Sequence, residues 1–206
     1  MYRQILEKQL PLQISKKRRG FTLMELLVVI AIIAVLATIG YPAFMAIMKR
    51  SKRVAATNMI ESMETGVDRY FNEYNYLPNF RTSNPPSWDY WLFTNEGQNI
   101  HFLRDLTGES DKFNIKGKNF LRLKNAKGRK GGFFRADGGK GKVQYLYDEV
   151  GGGFGYIVDY DYDEELPIPS FYRTSSSGNT IKGRHIIIWN FGPDKERGTS
   201  DDITSW

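Results

Sequence analysis

The sequence of 206 residues predicts an α+β protein with a lollipop shape, in which one long, kinked N-terminal helix packs on a small antiparallel sheet. Three patterns lead to this fold class. An apolar run extends from Phe21 to Met48, and apolar residues then recur at helical spacing as far as Tyr74. Beyond residue 142, segments rich in aromatic and β-branched residues alternate with glycine-rich turns, which is typical of antiparallel strands.

Glu25 is the one formal charge in the apolar run from Phe21 to Met48, and four consecutive bases at residues 16–19 stand directly before the run. About 20 apolar residues in a helix cross a hydrocarbon core of roughly 30 Å, so this run is long enough to span a membrane. A carboxylate inside a membrane segment carries a free-energy penalty and usually has a partner or a function. Either the helix is a plain anchor whose Glu25 reaches the headgroups, or Glu25 has a partner within the membrane.

The motif K-K-R-R-G-F-T-L-M-E-L-L-V-V-I-A-I-I-A, residues 16–34, resembles the class III signal of the type IV pilin and type II secretion pseudopilin superfamily. In that family a basic leader ends in Gly, a Phe follows, and Glu is the fifth residue of the mature chain. The resemblance implies that a prepilin peptidase cuts between Gly20 and Phe21, removes residues 1–20, and methylates the new terminus at Phe21. It also implies that Glu25 pairs with the terminal amine of a neighbouring subunit.

The same resemblance implies a pilin-like lollipop and a location. The chain would be a single-pass protein of the bacterial inner membrane with a periplasmic globular domain, and it would join a helical filament after assembly. Its implied partners are other copies of itself, the prepilin peptidase, the inner-membrane assembly platform, minor pseudopilins and the lipid bilayer. Lys and Arg flank both ends of the apolar run about equally, so charge counting alone does not fix the orientation.

The net charge of +6 belongs mainly to the leader, because residues 1–20 carry six bases and one acid, or +5. The chain after cleavage would therefore be close to neutral, at about +1. There is no cysteine, which excludes disulfides and thiolate metal sites. Many adhesive type IV pilins close a C-terminal loop with a disulfide, so this absence favours the pseudopilin branch.

Pro42 predicts a kink in the helix, because proline removes a backbone donor and clashes with the preceding turn. We divide the helix into a transmembrane and filament-core half, residues 21–48, and an amphipathic half, residues 49–78, which ends at Leu77-Pro78. The apolar positions of the second half predict the face that packs on the sheet. They are Val54, Met59, Ile60, Met63, Val67, Tyr70, Phe71 and Tyr74.

A globular α+β domain with a C-terminal loop is predicted for residues 79–206. Residues 79–111 are predicted to be irregular, apart from a short helix near 99–106. Four aromatic residues in this part are interpreted as a small core beneath a long loop, with carbohydrate or peptide binding as the alternative. They are Trp88, Tyr90, Trp91 and Phe93.

Residues 112–142 hold eleven Lys or Arg residues and one acid, Asp137, among many glycines. We interpret this basic tract as a solvated loop and do not expect nucleic acid as a partner, although such a tract can contact phosphates. Strands are predicted at residues 143–147, 156–160 and 184–190, in an antiparallel sheet of three or four strands. The acids between Asp159 and Glu165 are predicted to face water, and residues 167–179 to form a mobile loop.

Asp194, Asp201 and Asp202 lie within nine residues, in a segment that also contains turn-forming glycines. Hard cations such as calcium take carboxylate and carbonyl oxygens, and a segment of this composition supplies several. The ending W-N-F-G-P-D-K-E-R-G-T-S-D-D-I-T-S-W resembles that of the major pseudopilins, which implies a calcium loop held by these aspartates. Lys195 departs from the family pattern, which has Gly after the first Asp. The alternative is a solvated acidic tail.

We expect no enzymatic activity, because His101 and His185 are far apart in the sequence and no nucleophile pattern accompanies them. The sequence therefore predicts a pseudopilin subunit of a type II secretion-like filament that drives protein export. The alternatives are a type IV pilin, a DNA-uptake pilin, or a membrane-anchored protein that binds carbohydrate or peptide through the aromatic residues near position 90.

Overall fold

The computed structural model of the protein describes residues 20–81, 86–110, 112–173 and 178–206. The predicted leader therefore lies outside the described residues, except for Gly20. The chain divides into two compact units, one that ends at Met45 and one that runs from Ala46 to Trp206. A long N-terminal helix followed by a small antiparallel sheet domain confirms the predicted α+β fold class.

Helix α1 runs from Leu23 to Tyr74, a length of 52 residues. It continues through Pro42, so the helix does not end there, and the predicted bend remains a prediction. Among the described residues, α1 is the helix long and apolar enough to cross a membrane. Its large apolar side chains up to Met48 are exposed. The helix ends at Tyr74, before the predicted end at Leu77-Pro78, because Asn75 adopts a left-handed conformation (φ 57°), which is a common helix terminator.

The main sheet has four antiparallel strands in the order β1-β4-β7-β8. Two further pairs, β2-β3 and β5-β6, form separate two-stranded sheets. The short helix α2 comprises Ile100–Thr107 and confirms the predicted helix at residues 99–106. The strands are β1 Tyr90–Phe93, β2 Gly132–Arg135, β3 Val143–Tyr147, β4 Gly155–Val158, β5 Glu165–Pro167, β6 Thr180–Lys182, β7 Ile186–Asn190 and β8 Ile203–Thr204.

Both faces of the main sheet are covered. Ile186 and Ile188 of β7 join the core that contains the second half of α1, whereas Ile187 and Trp189 face a smaller core. Side chains alternate between the faces of a strand, so two buried faces explain why β7 is a continuous apolar run. The smaller core is closed by Leu166 of β5 and by aromatic residues near the C-terminus.

The predicted strands exist, but their arrangement differs from the prediction. Val143–Tyr147 is β3, yet it pairs with β2 rather than with the main sheet. Strand β2 lies inside the basic tract, which was predicted to be a loop, and β1 lies in the part predicted to be irregular. The predicted mobile loop at 167–179 contains a 3-10 turn at Ser170–Tyr172, while its residues 174–177 lie outside the described part.

The prediction that all acids between Asp159 and Glu165 face water is wrong for Asp159. Its side chain is buried at 2% exposure, because the chain turns back over it after β4 ends at Val158. The Glu164 N–H donates to Asp159 Oδ2 at 3.2 Å and holds this turn in place. Asp161 and Asp163 are exposed, as predicted.

The buried Asp105 of α2 makes the stability of the core depend on pH. Its side chain is fully buried, and the Asn79 N–H donates to Oδ2 at 3.0 Å. Burial raises the pKa of Asp105 to about 6, against hydrogen bonds from Ser110 and Asn79 that lower it. The folded state therefore holds a proton more tightly than the unfolded state, so the free energy of unfolding should fall as pH rises from about 4 to about 7.

Asp105→Asn should make this slope shallower by the share that Asp105 contributes, and it should stabilise the protein at pH 7 by about 2–3 kcal/mol, because the amide needs no charge in the core and its oxygen still accepts from Asn79. Urea unfolding of the detergent-solubilised chain at pH 4.5, 6 and 7.5 measures the effect. The exposed Asp137→Asn is the matched control and should leave the slope unchanged. Equal slopes for Asp105→Asn and the wild type would contradict the assignment.

Candidate functional site

The N-terminus of α1 is a capping box built by Thr22 and Glu25. The Glu25 N–H donates to the Thr22 hydroxyl at 3.2 Å, and the Thr22 N–H donates to Glu25 Oε2 at 2.8 Å. The Thr22 hydroxyl also donates to Oε2 at 2.8 Å. The reciprocal bonds satisfy two backbone donors that the helix itself leaves without acceptors. The sequence signal is T-x-x-E before an apolar run, and the sequence analysis did not use it.

The capping box fixes where the Glu25 carboxylate lies. Oε2 is held at the start of the helix, and Oε1 has no hydrogen-bond partner among the described residues. One oxygen is therefore free to accept a bond from outside the chain. Gly20 and Phe21, the predicted cleavage site, are both exposed next to this helix start. The N-terminal region thus presents an accessible peptide bond and a positioned carboxylate.

The three predicted metal ligands of the C-terminal loop come together. One carboxylate oxygen each from Asp194, Asp201 and Asp202 lies within 4.8 Å of the other two. Two ligands of one calcium ion, each at 2.3–2.6 Å from it, lie at most about 5 Å apart. The three carboxylates therefore fit a single cation of this size.

Thr199 joins this group, although it was not predicted from the sequence. Its hydroxyl lies 2.7 Å from Asp201 Oδ1 and 3.1 Å from Asp202 Oδ1. The Gly198 N–H donates to Asp202 Oδ2 at 2.8 Å. The hydrogen bond from Thr199 lowers the pKa of Asp201, so its carboxylate is charged at neutral pH. Hydroxyl and carboxylate oxygens are the donor types that hard cations take.

The backbone of the C-terminal loop requires unusual conformations at two positions. Gly192 has φ 67°, and a Cβ there would lie 2.4 Å from the Asp201 carbonyl oxygen, so only glycine permits this approach. Lys195 has φ 62°, a left-handed conformation that disfavours side chains with a Cβ. This is the position where the resemblance expects Gly. Lys195 therefore brings both backbone strain and a positive charge to the loop.

The C-terminal loop is tied to the rest of its unit. Strand β8 pairs with β7 through Ile203, and the ring of Trp206 lies 5.6 Å from that of Tyr172. The Arg53 guanidinium of α1 donates to the Ser200 and Asp202 carbonyls at 3.4 and 3.5 Å. The loop is thus part of the folded domain.

The aromatic residues near position 90 are not the small buried core that was predicted. Trp88 and Trp91 are 52% and 51% exposed, and Tyr90 is also exposed. Strand β1 pairs only with β4, which makes it an edge of the main sheet and leaves these side chains on the surface. Phe93 is partly buried against Trp189, and one side of the Tyr90 ring stacks on the buried Phe80.

Several bases of the basic tract are paired with acids elsewhere in the domain. Lys116 and Lys118 bind Glu73 of α1, and Arg135 binds Glu109 at 2.6 Å. His185, just before β7, bonds Asp68 of α1 through Nδ1 at 2.9 Å. These contacts give the tract and this histidine structural roles. The absence of enzymatic activity and of nucleic-acid binding remain predictions.

Residues 15–41 match the family model described as the prokaryotic N-terminal methylation motif. The match is consistent with the type IV pilin and pseudopilin superfamily, and it supports a pilin-like or pseudopilin subunit. Such a motif implies processing by a prepilin peptidase and assembly into a pilin-like filament, and the apolar helix fits membrane anchoring. No curated protein and no solved structure gives a significant match to the chain.

Proposed function

We propose that this protein is a pseudopilin, a subunit of a type II secretion-like filament that drives protein export. It is cut after Gly20, methylated at Phe21, and held in the bacterial inner membrane with its globular domain in the periplasm. An assembly platform and minor pseudopilins then bring it into the filament. The observation that carries this proposal is the methylation motif at 15–41, which leads directly into an exposed apolar helix.

The exposed half of α1 needs an apolar environment. From Leu23 to Met48 its large apolar side chains are exposed within the chain, and burial of such surface is favourable by roughly 25 cal/mol per Å². Lipid supplies this environment before assembly, and the same helices of neighbouring subunits supply it in a filament. One surface then serves as the membrane anchor and as the filament core.

Glu25 supplies selectivity to this helix contact. A carboxylate among lipid tails carries a penalty of about 2–4 kcal/mol unless it finds a partner. Cleavage after Gly20 creates a positively charged amine at Phe21, four residues before Glu25. The amine of one subunit can then reach the free Oε1 of its neighbour. Uncleaved subunits lack this amine, so processing controls assembly.

The C-terminal loop favours a pseudopilin over a type IV pilin. The chain has no cysteine to close a C-terminal disulfide loop, and instead it brings Asp194, Asp201 and Asp202 together. We infer that calcium binds these carboxylates and takes the place of a covalent closure. The Thr199 hydroxyl is close enough to two of them to contribute a further oxygen.

A membrane-anchored protein that binds carbohydrate or peptide is the second candidate function. The exposed side chains of Trp88, Tyr90 and Trp91 favour it, because exposed aromatic rings offer stacking surface. An anchored binder has no need of a charge at Glu25. The assembly experiment with Glu25 variants below therefore separates the two functions.

Gly20→Leu should leave the leader attached, because the peptidase is expected to require a small residue before Phe21. A Cβ at Gly20 meets no atom within 4 Å, so the substitution does not disturb the described fold. Intact-mass analysis of membrane extracts, after coexpression with a prepilin peptidase, measures the loss of 20 residues from the wild type. A wild-type chain that still begins at Met1 under these conditions would contradict the proposal.

Glu25→Gln should be inserted and cleaved normally but fail to enter filaments, since glutamine keeps the capping box and removes only the charge. Thr22→Val is the matched variant that loses the cap and keeps the charge, and it should still assemble. Electron microscopy of sheared filaments, together with immunoblotting for the membrane pool, measures assembly. Filaments of normal length from Glu25→Gln would favour the plain anchor.

Calcium should raise the thermal midpoint of the full-length chain in detergent. The rise should be smaller in Asp201→Ala, because the C-terminal loop no longer contributes to it. Lys195→Gly should bind calcium more tightly and also be more stable in chelator by up to about 1 kcal/mol, because glycine accepts the left-handed backbone. Lys195→Gln separates the two effects, since it removes the charge and keeps the strain. No difference between wild type and Asp201→Ala in calcium would contradict the loop site.

A further inference from the structure

A second group of carboxylates, separate from that of the C-terminal loop, gathers where strand β1 begins and strand β4 ends. Asp89 directly precedes β1, and Asp159, Asp161 and Asp163 follow β4. One carboxylate oxygen each from Asp89, Asp161 and Asp163 lies within 4.8 Å of the other two. Two segments that are 70 residues apart in sequence thus direct acids to one place.

The sheet register explains why Asp89 and Asp159 meet. The last registered pair of the two strands is Tyr90 with Val158, so Asp89 and Asp159 occupy the next opposed positions. Opposed residues of antiparallel strands point to the same face, where like charges destabilise the pair. The Tyr160 N–H donates to Asp89 Oδ1 at 3.1 Å and holds that side chain at the strand end.

Asp159 carries the observation that a solvated acidic loop does not explain. Only 2% of Asp159 is exposed, and its Oδ1 is buried without a hydrogen-bond partner among the described residues. Its Oδ2 accepts from the Glu164 N–H, in the turn that carries the exposed acids. An unpartnered buried oxygen is costly and needs a cation or a proton.

The Asp159 side chain belongs to the same part of the surface. It opposes Asp89 across the strand pair, and the Glu164 N–H that it binds lies directly after Asp163. Four carboxyl groups are therefore crowded where β1 begins and β4 ends.

No Lys or Arg among the described residues forms an ion pair with any of these four aspartates. The cation on the neighbouring strand β6, Lys182, pairs with Glu165 and interacts with Asp163 only at longer range. The protein thus brings four carboxyl groups together and supplies no basic side chain to match them. A small divalent cation would match them in charge and in ligand type.

We propose that Asp89, Asp159, Asp161 and Asp163 form a second divalent-cation site, suited to calcium, that fastens the start of edge strand β1 to the turn after β4. The ligands are hard carboxylate oxygens. Calcium takes six to eight oxygen ligands, and four carboxylates can supply several of them. Bound cation would join two chain segments that otherwise repel each other. It would also order the end of β1 on which the exposed Trp88, Tyr90 and Trp91 lie.

Terbium luminescence tests the site, because Tb³⁺ replaces Ca²⁺ and is excited by nearby aromatic rings. Asp201→Asn with Asp202→Asn, in the full-length chain in detergent, serves as the parent, so that the C-terminal loop does not contribute. Adding Asp161→Asn with Asp163→Asn should weaken Tb³⁺ binding at least tenfold. These two side chains are exposed, so the fold should be retained. The exposed Asp137→Asn is the matched control and should bind as the parent does.

Thermal unfolding at constant ionic strength gives a second, independent readout. The variant should be at least as stable as the parent in chelator and less stable than the parent in calcium. In chelator, Asp161→Asn with Asp163→Asn should melt at or above the midpoint of the parent, because repulsion is relieved. In saturating calcium, the parent should gain roughly 5 °C or more and the variant should not. Equal Tb³⁺ binding by parent and variant, or a parent midpoint that calcium does not change, would overturn the proposal, whatever the C-terminal loop binds.

Discussion

The buried stripe on the second half of α1 is the contact on which the globular domain depends. Met63, Val67 and Tyr70 are completely buried, and they meet the β4 and β7 side chains in one core. Gly66 lies within this stripe, where a Cβ would be only 3.2 Å from the Phe120 carbonyl oxygen, so the chain at residue 120 packs directly on the helix. The same helix exposes its apolar side chains before residue 49. One helix is therefore specified for two environments, with water excluded by protein in the second half and by lipid or other helices in the first.

Acids of the domain lie in two kinds of surroundings, some paired with bases of the basic tract and some gathered with other acids. Bases of the tract at 112–142 meet acids on α1, on the loop after α2 and at residue 149. The acids of the two loops, at 89 and 159–163 and at 194–202, converge on one another instead. Close carboxylates repel strongly where water is partly excluded. Cations at these two places would act as local closures in a domain that has no cysteine.

Elements with a clear apolar pattern could be predicted from the sequence, and the shortest elements could not. The apolar run with Glu25, the helical spacing after it and the C-terminal aspartates are strong signals, and α1 and the Asp194–Asp202 cluster follow them. Strands β5, β6 and β8 have two or three residues each, too few for a period to be visible. Strand β1 was not predicted, because apolar and polar residues do not alternate along it. The burial of Asp159 could not be predicted, since it depends on a turn that folds back over the strand end.

The main sheet pairs segments that are distant in sequence, so it is expected to form more slowly than the helices. Neighbours in this sheet come from residues 90–93, 155–158, 186–190 and 203–204, so each pairing closes a loop of many residues. Helices form within about a microsecond, whereas sheets with distant pairings fold in milliseconds to seconds. Helix α1 can therefore be complete, and its first half already in lipid, while the sheet is still unpaired. A domain anchored in this way folds on a chain that is already tethered at one end.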